Sequence, residues 1–250
     1  MLLYHTQSLN SLLLAALNTL GTENASATKN TIIALTQLLD YCATYPNSTL
    51  RFVASDTVLR IHSDASYISV TKTRFWATGF FYLSSDDDNP PSNGDVHVLC
   101  VVLKNVMVSS DESETGTVFV NCQAAVFLHE TLIEMGHPQS ATPVHMDNAC
   151  AVGIINEIFW QRESKSIDMW FYWIRDRVNQ NQLRIFWGKG SSNLADYFTK
   201  HHLPIHHRRW EALIWLIVSH FSISVNAYSH TFFNTRKRVS LTFFDTRKRV

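Results

Sequence analysis

Four carboxylates hold the chemistry that this 250-residue sequence offers: Asp64 in RIHSDASYIS, Glu114 in SSDESETG, Asp147 in VHMDNACAVGI and Asp196 in NLADYFTK. Singly, each aspartate has an ordinary explanation, since strand ends and first helical turns favour Asp through capping and the helix dipole. Glu114 does not. In the helical segment around it, Val118, Cys122, Ala125, His129 and Ile133 fall on or near one face, and one turn back along that face lies Glu114. Glu112 lies about 200° around the helix from it. Glu112 also follows Ser109 by the spacing of a capping box, so it is expected to point away. A carboxylate on a core-facing stripe is costly unless a cation or other partner meets it. Four carboxylates converging near one sheet would repel and desolvate one another unless divalent cations neutralised them. Two-metal phosphodiester hydrolysis needs that arrangement, one ion activating the attacking water and the other stabilising the leaving oxyanion.

The elements that must position these groups are legible from residue 50 onward. TLRFVASDTVLRIHSDAS, RFWATGFFYLS and DVHVLCVVL are rich in β-branched and aromatic residues, and SSDDDNPPSNGD reads as the loop before the third. Three successive strands predict an antiparallel meander. After the helix of Glu114 come a short strand, TPVHM, leading into Asp147, and a small-residue helix, NACAVGIINEIF. A longer helix follows with the stripe Ile167, Phe171, Ile174 and Val178, then the strand QLRIFW, the loop GKGSSN and a last helix with Asp196 in its first turn. The order β-β-β-α-β-α-α-β-α predicts an α/β fold. Residues 1–49 read as two helical segments split by GTENASATKN, a turn plus helix cap, with enough apolar residues (Leu12, Leu13, Leu17, Ile32, Ile33, Leu35 and Leu38) to pack on the domain or face a partner. Beyond residue 210, TFFNTRKRVSL at 231–241 recurs as TFFDTRKRV from Thr242, and no sustained apolar period accompanies it. A solvated, poorly ordered tail is expected.

Composition narrows the partners. Hydrophobic residues make up 46% of the chain, enough for a sizeable core, and 21 basic residues cancel 21 acidic ones. Any nucleic-acid surface must therefore be local. Between Trp160 and Trp210 nine Lys and Arg face four acids, and Lys165, Arg175 and Lys189 are the candidate backbone contacts. Tyr172 and Trp173 lie off the apolar stripe of their helix, where they could stack on bases or pack on a neighbour. Cys42, Cys100, Cys122 and Cys150 form no C-x-x-C pair and suggest buried thiols in a reducing compartment. HHLPIHH offers no cysteine and reads as a surface segment rather than a zinc site. The N-terminus lacks the basic region of a signal peptide, and ALIWLIV is well short of the roughly 20 apolar residues that span a bilayer. The expectation is a soluble, intracellular chain, cytoplasmic or nuclear, with no membrane association.

HSDASY, SSDESETG, VHMDNACAVGI, SKSIDMWFYWIRDRV and NLADYFTKHH, in that order, resemble the ribonuclease H domain at the end of copia-type retrotransposon polyproteins. The resemblance implies a ribonuclease H-like mixed five-stranded sheet flanked by helices, a helical N-terminal extension and a poorly ordered C-terminal tail. It implies the division 1–49 (helical connection), 50–210 (ribonuclease H-like domain) and 211–250 (extension with the tandem repeat). By resemblance, Asp64, Glu114, Asp147 and Asp196 would be catalytic ligands of two Mg2+ ions, with Mn2+ possible in their place, and Asp64 would stand on a central strand. The implied activity is cleavage of the RNA strand of an RNA/DNA hybrid, with a reverse transcriptase domain outside this chain as a further partner. The alternative is a catalytically silent remnant that folds and at most binds nucleic acid. It rests on Phe75, Trp76, Glu163, Trp170 and Gly188, where the family has basic or small residues. An integrase-like nuclease is disfavoured, because such enzymes place their glutamate on a late helix.

Overall fold

The computed structural model describes residues 2–45, 50, 52–70, 74–87, 90, 93–105, 107, 109–156, 165–200, 202, 205–207 and 210. The expected poorly ordered tail with its repeat lies outside the described residues, as do ALIWLIV, Glu163 and His201. Five strands, β1 (Val58–Val70), β2 (Arg74–Ser84), β3 (Asp95–Leu103), β4 (Thr142–Met146) and β5 (Leu183–Trp187), form one sheet in the order β3-β2-β1-β4-β5. The first three are antiparallel, whereas β4 runs parallel to both β1 and β5. Parallel neighbours need long crossovers. These are α4 (Ser110–Glu134) before β4, and α5 (Ala149–Ile155) with α6 (Lys165–Asn179) between β4 and β5. The mixed five-stranded sheet flanked by helices is the architecture expected, with β1 at its centre.

Side-chain alternation along the strands serves two layers. On one side Leu59, Ile61, Phe81, Val144, Met146 and Ile185 pack against Val118, Cys122 and Ala125 of α4 and Phe171 and Ile174 of α6. Those helical residues are the apolar stripes visible in the sequence. On the other side Trp76, Phe80, Tyr82, Val98 and Cys100 meet Leu12, Leu14, Tyr197, Phe198 and Trp210. Phe75 and Trp76, expected as bulk near a substrate face, are therefore buried instead. Trp170 stacks on Phe119 with ring centroids 5.8 Å apart. At Gly188 a Cβ would stand 2.1 Å from His145 Nε2, so packing accounts for that glycine as well.

The N-terminal extension holds three helices, α1 (Leu2–Ser8), α2 (Leu14–Thr22) and α3 (Lys29–Thr44). GTENASATKN contains the expected turn and cap: Thr28 accepts from the Thr31 N–H at 3.3 Å and opens α3, although Gly21 and Thr22 still belong to α2. The extension adds no strand, but it covers the edge strand β3. Asn18 donates to the Cys100 carbonyl at 2.6 Å, and the Ser11 hydroxyl donates to Asp95 at 3.1 Å. Cover of this kind makes pairing of an edge strand with another chain less favourable. The four cysteines are free thiols, but Cys150 is exposed, contrary to expectation, because α5 buries only its residues from Ala151 onward. Among the described residues no helix is long and apolar enough to cross a membrane.

Gly79 sets how closely α4 approaches the sheet. A Cβ there would stand 2.2 Å from Asn121 Oδ1. The fully buried Asn121 amide donates to the Ser63 hydroxyl at 2.9 Å and to the Thr78 carbonyl at 2.8 Å, tying α4 to β1 and β2. Gly79→Ala is expected to cost about 1–3 kcal/mol by overpacking. Gly21→Ala, in open space on α2, should be neutral or stabilising by up to about 1 kcal/mol. Urea unfolding midpoints of the two variants test this, and an unshifted Gly79→Ala midpoint would contradict the close seating of α4.

Candidate metal centre

Three elements converge at the middle of β1. Asp64 lies on β1, Glu114 in the second turn of α4, and Asp147 directly after β4. The parallel register pairs Ile61 with Val144, so three residues further along both strands Asp64 and Asp147 come side by side. The N-terminal end of α4 brings Glu114 to them, and Ser109 fixes that end by accepting from the Glu112 N–H at 3.2 Å. One carboxylate oxygen from each of Asp64, Glu114 and Asp147 lies within 4.8 Å of the others. Glu112 is outside this group, in keeping with the helical phase read from the sequence. Among the described residues this is the only set of three or more His, Cys, Asp or Glu so placed.

The site is electrostatically costly as it stands. Asp64 and Glu114 are buried and Asp147 half-buried. Burial pushes the Asp64 carboxyl up to about 7, against the opposing hydrogen bond from Thr199, and the charges of Asp196 and Asp147 add to the rise. Burial, then Asp64 and Asp147, raise Glu114 well above the usual carboxylate range, although the Ala65 N–H donates to it. Glu114 Oε2 has no hydrogen-bond partner. An unpartnered, buried, crowded carboxylate oxygen calls for a proton or a cation. The all-oxygen donor set suits a hard divalent ion, so the residues present fit Mg2+ or Mn2+.

Asp196 is placed differently from the other three. The expected last helix is a 3-10 segment, Leu194–Phe198, because both of its ends are tied to the sheet. Upstream, Asn193 donates to the Ser63 carbonyl at 2.9 Å, and the Leu194 N–H donates to His62 Nδ1 at 2.8 Å. The Thr78 hydroxyl lies 2.8 Å from the Asp64 carbonyl and 3.1 Å from that of Ala195. Downstream, Thr199 donates to Asp64 Oδ2 at 2.5 Å. Asp196 itself pairs with Lys200, which is 62% exposed. It is not in the three-oxygen group, yet its charge acts on Asp64. Burial, with His145 and Arg60 adding, holds His62 well below the usual imidazole range, so it is neutral and can accept the Leu194 N–H. Thr199, His62, Asn193 and Thr78 were not foreseen as site residues. His62 lies two residues before Asp64 on the same face of the strand, and Asn193 and Thr199 flank Asp196 within the NLADYFTKHH motif.

The candidate nucleic-acid residues fare unevenly. Lys189 is exposed on the loop after β5, one residue before Gly190, where a Cβ would meet Asp147 Oδ2 at 2.7 Å. Lys165 opens α6, but its side chain lies outside the described residues. Arg175 donates to the carbonyls of Ile154 at 2.6 Å and Ile155 at 3.2 Å, closing the end of α5. Tyr172 is exposed, whereas Trp173 packs edge-on against Phe119. The described histidines of HHLPIHH pack around Tyr197 rather than facing solvent alone, since apolar cover from Trp210 draws them in.

The chain is 25% identical over 167 residues to a retrovirus-related Pol polyprotein from transposon TNT 1-94 of Nicotiana tabacum. The expected resemblance to a copia-type retrotransposon polyprotein is borne out by this similarity. The match takes in 67% of this chain and 12% of that polyprotein, and no family model matches. Among solved structures, the N-terminal RNase H domain of Rv2228c from Mycobacterium tuberculosis is similar at a TM-score of 0.41 and 13% identity, covering 57% of this chain and 91% of that one. LC11-RNase H1, isolated from compost and solved with an RNA/DNA hybrid, gives a TM-score of 0.42 at 11% identity over 56% and 92% of the two chains.

Raised carboxyl values make stability pH-dependent in a definite sense. With Asp64 at about 7 in the folded state against a usual 3.8, the native protein keeps a proton that the unfolded chain has released. Its stabilising effect is therefore full below about pH 4 and lost as pH rises to about 7, on the order of a few kcal/mol. Buried His62 and His145 act in the opposite sense, so the comparison must be with Asp64→Asn. Metal-free Asp64→Asn is expected to gain stability over the parent as pH rises toward about 8, and saturating Mg2+ to reverse the ranking. Thermal melts with and without Mg2+ check both; a metal-free parent that gains on the variant with rising pH would refute the assignment.

Proposed function

We propose that this chain is a metal-dependent endoribonuclease that hydrolyses the RNA strand of an RNA/DNA hybrid. The observation that carries this reading is the triangle of Asp64, Glu114 and Asp147 oxygens within 4.8 Å, with one Glu114 oxygen buried and unpartnered. Kinship with a retrotransposon Pol polyprotein supports the substrate class. Asp64, Glu114 and Asp147 would hold two Mg2+ ions, or Mn2+, with Asp196 as the outlying fourth ligand. Bound there, the ions would supply an activated water and stabilise the leaving oxyanion. Thr199 orients the Asp64 carboxylate by donating to Oδ2, and the remaining lone pairs stay available to a cation. Lys200 neutralises Asp196 through an exposed ion pair, which is weak enough for a cation to displace. Lys189, and Lys165 with it, would meet the hybrid's phosphates, while Arg175 is spent on α5. The Asp147 loop stays close to the phosphate path because Gly190 lets the backbone approach.

The test is cleavage of a hybrid labelled on each strand in turn, with Mg2+, Mn2+ or chelator. RNA-strand cutting that disappears on chelation is expected. Asp64→Asn, Glu114→Gln and Asp147→Asn should each lower kcat by about a thousandfold or more, the scale of several kcal/mol of lost charge stabilisation. Hybrid binding without any cutting by the parent chain would favour the silent remnant instead.

A further inference from the structure

The turn that carries Asp196 is short, a single 3-10 segment. The bonds that close its two ends, from the Asp196 N–H to the Asn193 carbonyl and from the Thr199 N–H to the Asp196 carbonyl, are both 3.3 Å long, near the limit for such bonds. Ties from outside the turn therefore help to set where Asp196 stands relative to the three-carboxylate group. The ties to β1 and β2 act before Asp196 through Asn193, Leu194 and Ala195, and after it through Thr199. After it, the next residue, Tyr197, is buried, and its hydroxyl hydrogen-bonds His207 Nδ1. The other ring nitrogen of His207, Nε2, lies 2.9 Å from the hydroxyl of Tyr41 on α3. The Tyr41 and His207 rings meet edge to face at 5.3 Å.

A neutral imidazole has one donor and one acceptor, and a phenol can serve as either, so this bridge satisfies every group in it. The surrounding rings hold it closed. His202 stacks on Tyr197 at 4.8 Å and hydrogen-bonds its carbonyl at 2.9 Å, while the Trp210 indole donates to His206 at 2.6 Å. The N-terminal extension also hydrogen-bonds β3 through Ser11 and Asn18, and Leu12 and Leu14 share the apolar layer of Tyr197 and Phe198. Tyr41 is where α3 reaches the turn of Asp196.

We propose that Tyr41 and His207 are positioning residues of the metal centre: through the bridge Tyr41–His207–Tyr197 the N-terminal helices hold Asp196 in register with Asp64, Glu114 and Asp147. The inference rests on reading that cluster as a nuclease metal centre. It makes α3 part of the working site, although α3 carries no ligand.

The experiment uses the full chain and two readouts, Mn2+ binding by calorimetry and the Mg2+ dependence of hybrid cleavage. Tyr41→Phe keeps the ring and removes only the bridging hydroxyl. It should weaken Mn2+ binding and raise the Mg2+ needed for half-maximal cleavage about threefold to tenfold, the scale of one lost hydrogen bond, with kcat at saturating Mg2+ unchanged. His207→Ala should do the same, and His207→Gln, which retains a donor and an acceptor, should recover part of the loss. Tyr45→Phe, on a neighbour whose ring lies 4.9 Å from Tyr41 but which is outside the bridge, should change nothing. In an Asp196→Asn background Tyr41→Phe should have no further effect, since the two act through one group. Unchanged Mn2+ binding and Mg2+ dependence in Tyr41→Phe, or an equal loss in Tyr45→Phe, would overturn the bridge while leaving the proposed function standing. A parent chain that neither binds Mn2+ nor cleaves would overturn both.

Discussion

Mutual repulsion among buried carboxylates is the constraint around which this molecule is arranged. Three oxygens within 4.8 Å do not gather of their own accord, because desolvation and like charge both oppose it. Backbone geometry must impose the arrangement. The parallel register of β1 and β4 sets Asp64 against Asp147, and it can do so because β1 is the central strand, hydrogen-bonded on both sides. Glu114 arrives from a separate element, so α4 has to be fixed in both depth and rotation. Asn121 does this with two buried hydrogen bonds to neighbouring strands, and the missing side chain at Gly79 gives it room. A site of this kind belongs on strands and helix ends, where side chains are held within a few tenths of an ångström, rather than on a loop.

The two layers divide the labour. The helices α4 to α6 provide the larger apolar layer and one ligand. The opposite face is covered by parts that have no ligand except Asp196: the N-terminal helices, the turn 194–198 and Trp210. That cover explains the apolar residues Leu12 and Leu14 in a stretch with no chemistry of its own. It also places the N-terminal helices on β3, whose unpaired edge they protect, and on the turn that bears Asp196. Ile32, Ile33 and Leu39 of α3 remain exposed, so only part of the apolar character of the extension is accounted for by this chain's own core.

Much of this was legible because period and spacing report local faces. The stripe Val118, Cys122, Ala125 separated Glu114 from Glu112, and the β-branched and aromatic runs gave the strands and their order. Partnerships across the chain leave no such trace. Nothing adjacent to Thr199 or Asn193 indicates that each will bond to β1, more than a hundred residues earlier. Arg175 looked like a surface cation because its helix is amphipathic, yet the open carbonyls at the end of α5 captured it. Phe75 and Trp76 were misjudged for a related reason: alternation assigns residues to one face or the other, but not to solvent or core when both faces are covered. The last element looked helical because Asp in a first turn is a helix signal, whereas ties at both ends held it to 3-10 geometry.

The same burial that makes the site costly also defines what it can exchange. With Asp64 raised to about 7 and Glu114 well above the usual carboxylate range, a cation entering the cluster competes with protons for it. Thr199 moderates this by giving Asp64 one strong donor, which keeps its charged form within reach near neutrality. Lys200 plays the corresponding part for Asp196, but from solvent, where the pair is easily opened. The four carboxylates are therefore not equivalent: two are buried with raised carboxyl values, Asp147 is half-buried, and Asp196 is paired with an exposed lysine. Such grading lets positive charge enter from the Asp147 and Asp196 side while the buried pair stays fixed by β1 and α4. The rigid half of the site sets geometry, and on the proposed reading the open half would admit the ions and the substrate's phosphates.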